Sequence, residues 1–179
     1  MIRLNMAIKT IITEPNKILR QKSKPVETVG EEERNIMDDM LETMYHANGI
    51  GLAAIQIGIP KRIIVMDISK NKEKKNPMYF VNPIIKNKNS EKSTYEEGCL
   101  SVPNYFAEID RPKKCEVDYL DYDGKKKTLS ADGLLATCIQ HEIDHLEGIL
   151  FIDYLSKLKK TMIVKKLSKQ KKSPDRIIV

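Results

Sequence analysis

Residues 140–148, QHEIDHLEG, decide the reading of this chain. The HExxH inside that stretch sets His141 and His145 four positions apart. On a helix this spacing puts both imidazoles on one face, one turn apart. Two neutral imidazoles so placed can share a divalent metal ion, and a carboxylate beside them, here Glu142, can act as a general base. The chain has only three histidines, and two of them fall here. An isolated HExxH is equally a solvated charged helix face, so the rest of the chain must decide between the two.

Outward from the motif, LLATCIQHEIDHLEG reads as one helix, with Asp132 at its N-cap and Gly148 near its close. Leu134, Thr137, Cys138, His141 and His145 fall at i, i+3, i+4, i+7 and i+11, one continuous face. Before it, 115–122 (CEVDYLDY) alternates with Val117 and Tyr119 on one side. Asp123-Gly124 signals a hairpin, and KKKTLSA is the return strand. Residues 62–68 and 78–85 are short, apolar and β-branched, with Pro83 marking an edge or a bulge. A first helix spans 31–46, with Ile36, Met37, Met40, Leu41 and Met44 at helical spacing as core and Asn48-Gly49 after it. His46 reads as an ordinary helix-end histidine. A basic helix over about 155–169 carries Leu158, Met162, Ile163 and Leu167. The expected fold is α+β, mainly antiparallel sheets around a central HExxH helix with an additional C-terminal helix. The expected division is a catalytic body, 1–154, and a basic helix and tail, 155–179.

Composition narrows the class. With 179 residues, 41% hydrophobic and 31% charged, the chain suits a single soluble domain with a sizeable core. No apolar run approaches the ~18 residues of a membrane span, and the start, MIRLNMAIKTIITEP, lacks the pattern of a signal peptide. Three widely spaced cysteines argue against a disulfide framework and for a reducing compartment. The expected location is cytoplasmic, with no membrane and no DNA as partner. The net charge of +6 is uneven: residues 154–174 hold eight lysines and no acid, so the body is slightly acidic. From charge alone, the lysines are either a solvated face or an anchor for a polyanion such as RNA.

A catalytic site of the zinc type needs three protein ligands and one open position. The metzincin solution needs a histidine at 151, where Phe151 stands. The thermolysin-like solution needs a downstream Glu, and none follows Glu147. Upstream, EGCLS offers Cys99, preceded by Gly98 and followed by turn-forming residues, and a thiolate there would complete a Cys–His–His set. Cys115 and Cys138 read as small buried hydrophobes. The stretch GIGLAAIQIG, 49–58, is small enough for close backbone approach, and Gln56 adds an amide able to donate to an oxyanion.

GIGLAAIQ, EGCLS and QHEIDH, in this order, resemble the three motifs of the peptide deformylases, GxGxAAxQ, EGCLS and QHExDH, with no substitution at a fixed position. The resemblance covers nearly the whole chain, from about 8 to 158. It implies removal of the formyl group from N-formylmethionyl nascent peptides with release of formate. It implies a metal, typically Fe²⁺ with Zn²⁺ or Ni²⁺ able to replace it, held by Cys99, His141 and His145. Glu142 would be the general base, and the Leu100 backbone N–H and the Gln56 amide would hold the oxyanion. On the helix face before the ligands, Leu134, Thr137 and Cys138 would line a pocket next to the metal, and the resemblance adds Ile50, Gly51 and Glu97 to the walls of a recess suited to methionine. The family's use of a C-terminal helix near the peptide exit implies a ribosome contact through the lysine-rich helix. A metallopeptidase, and an RNA-binding module built on a structural metal, are the rival readings.

Overall fold

The computed structural model describes residues 7–69 and 74–172, with side chains through 170. All of the leading MIRLNM and all of the SPDRIIV tail lie outside these residues.

A five-stranded antiparallel sheet runs in the order β1-β2-β3-β6-β7, with β1 Gly51–Ala53, β2 Ile63–Met66, β3 Met78–Lys88, β6 Lys114–Leu120 and β7 Lys126–Asp132. Both faces near β2 are covered, so its four residues are all apolar and buried rather than alternating. Ile63 and Val65 pack with Met37, Met40 and Met44 of α1 (Glu31–His46), all three fully buried. Ile64 and Met66 point the other way, into a cluster with Phe80, Val117, Ala136, Ile139 and Ile143. That second cluster joins the sheet to α2 (Gly133–Leu146). Ten of the fourteen α2 residues are buried, so this helix is the centre of the molecule and not a surface cover.

Pro83 lies at a bulge: β3 slips register against β6 between Val81 and Ile84. The strand is internal to the sheet, so of the two readings of Pro83 the bulge is the observed one. Asn82, at φ 51, turns its side chain to the backbone N–H and C=O of Val26 at 2.8 Å each. Asp132 occupies the N-cap of α2 as expected, but its side chain makes no capping bond and instead pairs with Lys114 at 3.3 Å.

The expected strand list omits a hairpin, β4 Lys92–Cys99 with β5 Val102–Pro112, which forms its own two-stranded sheet. On the far side of this hairpin, Val102 and Ile109 pack with Leu150, Phe151, Ile152 and Leu167. Leu167 belongs to α3 (Lys157–Lys172), whose Ile163 and Val164 are half-buried on the same cluster. The expected apolar stripe of this helix is therefore divided: Leu167 and Ile163 pack, whereas Leu158 is 72% and Met162 50% exposed. No described helix is long and apolar enough to cross a membrane.

Candidate metal centre and cavity

Three segments distant in sequence converge on the middle of α2. Cys99 ends β4 at an irregularity, not in a free turn: Gly98 pairs with Phe106, and Cys99 pairs with Val102. The bulged residues 103–105 include Asn104 at φ 66. The Cys99 sulfur lies 3.2 Å from His145 Nε2. It also accepts from the Ser101 backbone N–H at 3.4 Å and from Gln56 Nε2 at 3.6 Å, so two N–H dipoles point at it. Gln56 is held by accepting from the Ala53 N–H at 2.8 Å and donating to Ser101 Oγ at 3.0 Å. Cys99, His141 and His145 offer ligand atoms that all lie within 4.8 Å of one another. A thiolate and two imidazoles at that separation fit a late first-row divalent cation.

Outer partners fix the side chains of this candidate ligand group. His141 Nδ1 lies 2.8 Å from Glu97 Oε2, so a proton on Nδ1 leaves Nε2 to face the sulfur. Glu97 is in turn clamped by Arg111, Nε to Oε1 at 2.5 Å and Nη2 to Oε2 at 3.0 Å. Arg111 also donates to Asp144 at 2.7 Å, where the Tyr154 hydroxyl joins at 2.8 Å. Burial alone would raise the Glu97 carboxyl, but His141 and Arg111 outweigh it and hold it below the usual range. Burial also lowers the imidazoles. For His145 it prevails, with the nearby His141 adding to it, and keeps the ring neutral. For His141 it is overcome by hydrogen bonds to Cys99 and Glu97. A cation between sulfur and ring meets the same electrostatic demand as the proton that those partners favour.

Glu142 sits beside the ligands, 4% exposed. Burial pushes its carboxyl up to about 7, against the pull of His141. Its Oε2 finds no hydrogen-bond partner in the protein. The carboxylate lies against the α-carbon of Gly51, where any Cβ would collide with it, so a side chain at 51 would displace Glu142 from this position. This is a group near the neutral point, in contact with the cavity, with an oxygen available to a reactant.

The cavity in front of these groups measures about 480 Å³. Ile50, Gly51, Glu97, Leu134, Thr137 and Cys138 all line it, together with Gln56, Cys99, Leu100, His141 and Glu142. Every residue expected at the site is thus present there, apart from His145, which does not line the cavity but belongs to the converging Cys99–His141–His145 group. Glu97 has a second involvement beyond the wall, since both its oxygens are engaged by His141 and Arg111. Cys138, expected both as a small buried hydrophobe and as a pocket residue, is 7% exposed and faces the cavity, its sulfur 3.9 Å from the Ile50 carbonyl. His46 is exposed at the end of α1 and is not among the residues lining the cavity.

Sequence reasoning missed Arg111, Asp144, Ser101 and Phe106. Asp144 lies inside HEIDH, three residues after His141, and its spacing puts it on a neighbouring face of α2. Ser101 belongs to EGCLS. Arg111 and Phe106 carry no local signal; only the pairing of β5 with β4 brings them in.

A profile of the Polypeptide deformylase family matches residues 8–161. A peptide deformylase of Pelagibacter ubique is 75% identical over 97% of this chain and all of that protein, and one of Rhizobium meliloti is 55% identical over 94% and 97%. Among solved structures, a peptide deformylase from Ehrlichia chaffeensis superposes with a TM-score of 0.88 at 41% identity, covering 94% of this chain and 99% of that one. The Ehrlichia chaffeensis enzyme in complex with actinonin gives the same TM-score at 44% identity, covering 94% and 100%.

Proposed function

The chain belongs to the polypeptide deformylase family, and we propose that Cys99, His141 and His145 hold its divalent metal with Glu142 as the acid–base group. As a member of that family it is a metal-dependent hydrolase that removes the N-formyl group from the N-terminal methionine of newly synthesised polypeptides and releases formate. The observation that supports these site assignments best is the convergence of three ligand atoms within 4.8 Å, beside a buried carboxyl with a pKa of about 7.

When bound, the metal supplies Lewis acidity that lowers the pKa of a coordinated water from ~15.7 toward ~7 and polarises the formyl carbonyl. The remaining steps belong to the chain. Glu142 accepts the proton of the attacking water as its oxygen adds to the formyl carbon. As the C–N bond breaks, Glu142 delivers that proton to the departing α-amine nitrogen, and formate leaves. Gln56 Nε2 and the Leu100 backbone N–H donate to the carbonyl oxygen as it becomes negative; losing one such donor typically costs ~10²–10³ in rate. Arg111 and Glu97 hold His141 in the tautomer that ligation needs.

Fe²⁺ is the proposed resident ion, with Zn²⁺ and Ni²⁺ as competent replacements, because a thiolate–imidazole set accepts all three. Anaerobic purification with metal analysis, paired with a formate-release assay on a formyl-methionyl peptide, tests both identity and reaction. One iron per chain with formate release is expected, and activity that decays in air as the sulfur oxidises. Stoichiometric zinc with full activity and no decay in air would replace iron.

The methionine side chain is proposed to enter between Ile50, Gly51 and the Leu134–Thr137–Cys138 face of α2, beside Glu97, a mostly apolar recess suited to a linear side chain. Cys138→Phe fills it, and KM for formyl-methionyl substrates is expected to rise about tenfold with a smaller change in kcat, by the usual worth of pocket volume. Unchanged KM and kcat would return these residues to the core.

We assign 1–154 as the catalytic body and 155–179 as an accessory basic segment of a cytoplasmic enzyme. Lys157, Lys159, Lys165, Lys166 and Lys169 make no ion pair among the described residues, whereas Lys160 pairs with Asp153 at 2.6 Å. Such a face suits phosphate-rich RNA, and the substrate emerges from a ribosome. A chain ending at Leu155, provided it still folds without the packing of Ile163, Val164 and Leu167, is expected to keep activity on short formyl-peptides and lose ribosome co-sedimentation at low salt, with a steep salt dependence in the full-length protein. Equal co-sedimentation of the two would remove the ribosomal role.

A further inference from the structure

Asp67 is a buried carboxylate that the reaction does not use. It follows directly on β2 and is 5% exposed. Its oxygens are taken up by a hydroxyl and by backbone donors. Oδ2 accepts from the Tyr45 hydroxyl at 2.6 Å and from the Asn76 N–H at 2.9 Å, and Oδ1 accepts from the Ser69 N–H at 2.9 Å. Burial alone would raise this carboxyl, but the bonds from Ser69, Tyr45 and Asn76 outweigh it and hold it below the usual range. Burial, with Asp67 adding to it, pushes the Tyr45 hydroxyl well above its usual range. The pair is thus a neutral hydroxyl donating to a fixed anion, a short and strong bond.

The chain that runs between α1 and β1 forms one wall of the cavity, lined by Asn48, Gly49, Ile50 and Gly51. One end of this wall is held by the close of α1. The Asn48 N–H donates to the Tyr45 carbonyl at 3.0 Å and the Gly49 N–H to the Met44 carbonyl at 2.9 Å, with Asn48 left-handed at φ 55. The other end is held by β2 and the residue after it. Gly51 pairs with Met66, and the Asp67 N–H donates to the Ile50 carbonyl at 2.9 Å. The Tyr45–Asp67 side-chain bond joins these two supports directly.

We infer that Tyr45 and Asp67 are a pair of positioning residues, which together hold the Asn48–Gly51 wall in the form that receives the substrate. This rests on the deformylase reading of the cavity. Neither side chain lines the cavity itself, so the pair acts through the wall. A wall that the substrate must order takes that cost out of binding, and takes it from the bound state and the transition state alike. Loosening the wall therefore raises KM and leaves kcat nearly unchanged. Glu142 and the candidate ligands are carried by α2 and β4, and they keep their places when the wall loosens.

The test compares Tyr45→Phe, Asp67→Asn and the double variant with the wild type, all metal-loaded. KM and kcat are measured on a formyl-methionyl peptide, with metal content and melting temperature on the same preparations. Tyr122→Phe is the control: it removes a hydroxyl that donates to Asp38 of α1 at 3.0 Å, the same chemical change on the same helix but outside the wall. Tyr45→Phe is expected to raise KM about fivefold, with kcat within about twofold and metal content unchanged. The double variant is expected to go no further than the larger single effect, because the two residues act as one bond. Tyr122→Phe is expected to lower the melting temperature by a similar amount and to leave KM at the wild-type value. Wild-type KM in Tyr45→Phe, with formate released, overturns the inference and leaves the reaction standing. An equal rise in KM in Tyr122→Phe also overturns it, since the effect would then be one of stability alone. KM effects that add in the double variant would separate the two residues and overturn the pair. Tyr45→Phe leaves the backbone donors to Asp67 in place, so it decides the matter even where Asp67→Asn does not fold. No formate from the wild type would overturn the reading of the cavity itself.

Discussion

Glu142→Gln, loaded with metal, is expected to lose about 10²–10⁴ of its turnover, the usual worth of positioned acid–base catalysis, while keeping fold and metal. The side chain is nearly isosteric, and Glu142 is adjacent to the ligands without being one of the converging donors. Folding should not suffer. Burial raises the carboxyl from 4.5 to about 7, so the folded state binds its proton more tightly than the unfolded chain does. Stability is therefore lost as pH rises from about 4.5 through about 7, and above that window the buried charge opposes folding. In chelator-treated protein at pH 8, the amide removes that opposition, and the melting temperature is expected to stay level or rise. The measurements are formate release, metal content and thermal melting on the same preparation. Near-normal turnover in a metal-loaded Glu142→Gln enzyme would dismiss Glu142 as the proton carrier. Loss of turnover together with loss of metal would instead show it to be part of the ion's support.

Much of this site could be read from the sequence because its chemistry is concentrated in three short segments. His141, His145 and Glu142 share one helix turn, and helical spacing alone puts them together. Cys99 could be singled out by its Gly98 neighbour and by the elimination of other third ligands, and the ordered motifs carried Gln56 and Leu100. The β2 strand was plain because both of its faces are buried and its residues run apolar, and β3 because it opens on the apolar run Met78 to Val81, although its far end is exposed. The β4–β5 hairpin was not, because it is a two-stranded sheet with a polar outer face. KSTYEEGC alternates between exposed and half-buried residues up to Glu96, and the residue it does bury is a glutamate, Glu97. Its stability comes from pairing and from the cluster beneath Val102 and Ile109, neither of which is local. For the same reason the Arg111–Glu97–His141 relay was invisible: its members are 14 and 44 residues apart and meet only when the hairpin closes on α2. The last helix shows a further limit. Its apolar positions were legible, but its low amphipathicity left open which of them pack, and the structure chose Ile163, Val164 and Leu167 over Leu158 and Met162.

Removal of a ligand gives the other large effect. Cys99→Ser exchanges a soft anionic donor for a hydroxyl that remains protonated at neutral pH, and His141→Ala removes a ring outright; each is expected to bring retained metal from about one per chain to near zero after dialysis. The two differ in what they do to the protein. The serine keeps the size of the side chain and can still accept from the Ser101 N–H, so the fold should be intact. The alanine leaves Glu97 Oε2 without its imidazole donor in a buried site, at a cost of about 1–3 kcal/mol, although Arg111 still neutralises the carboxylate through two contacts. Melting of the chelated proteins separates this cost from the loss of metal: Cys99→Ser should match the chelated wild type, and His141→Ala should melt lower. Cys115→Ser and Cys138→Ser should retain metal, because neither sulfur joins the converging set. Stoichiometric metal in the His141→Ala protein would sink the three-ligand assignment, because the remaining thiolate and imidazole would then need a third donor from elsewhere. Among the described residues, no other His, Cys, Asp or Glu joins that set.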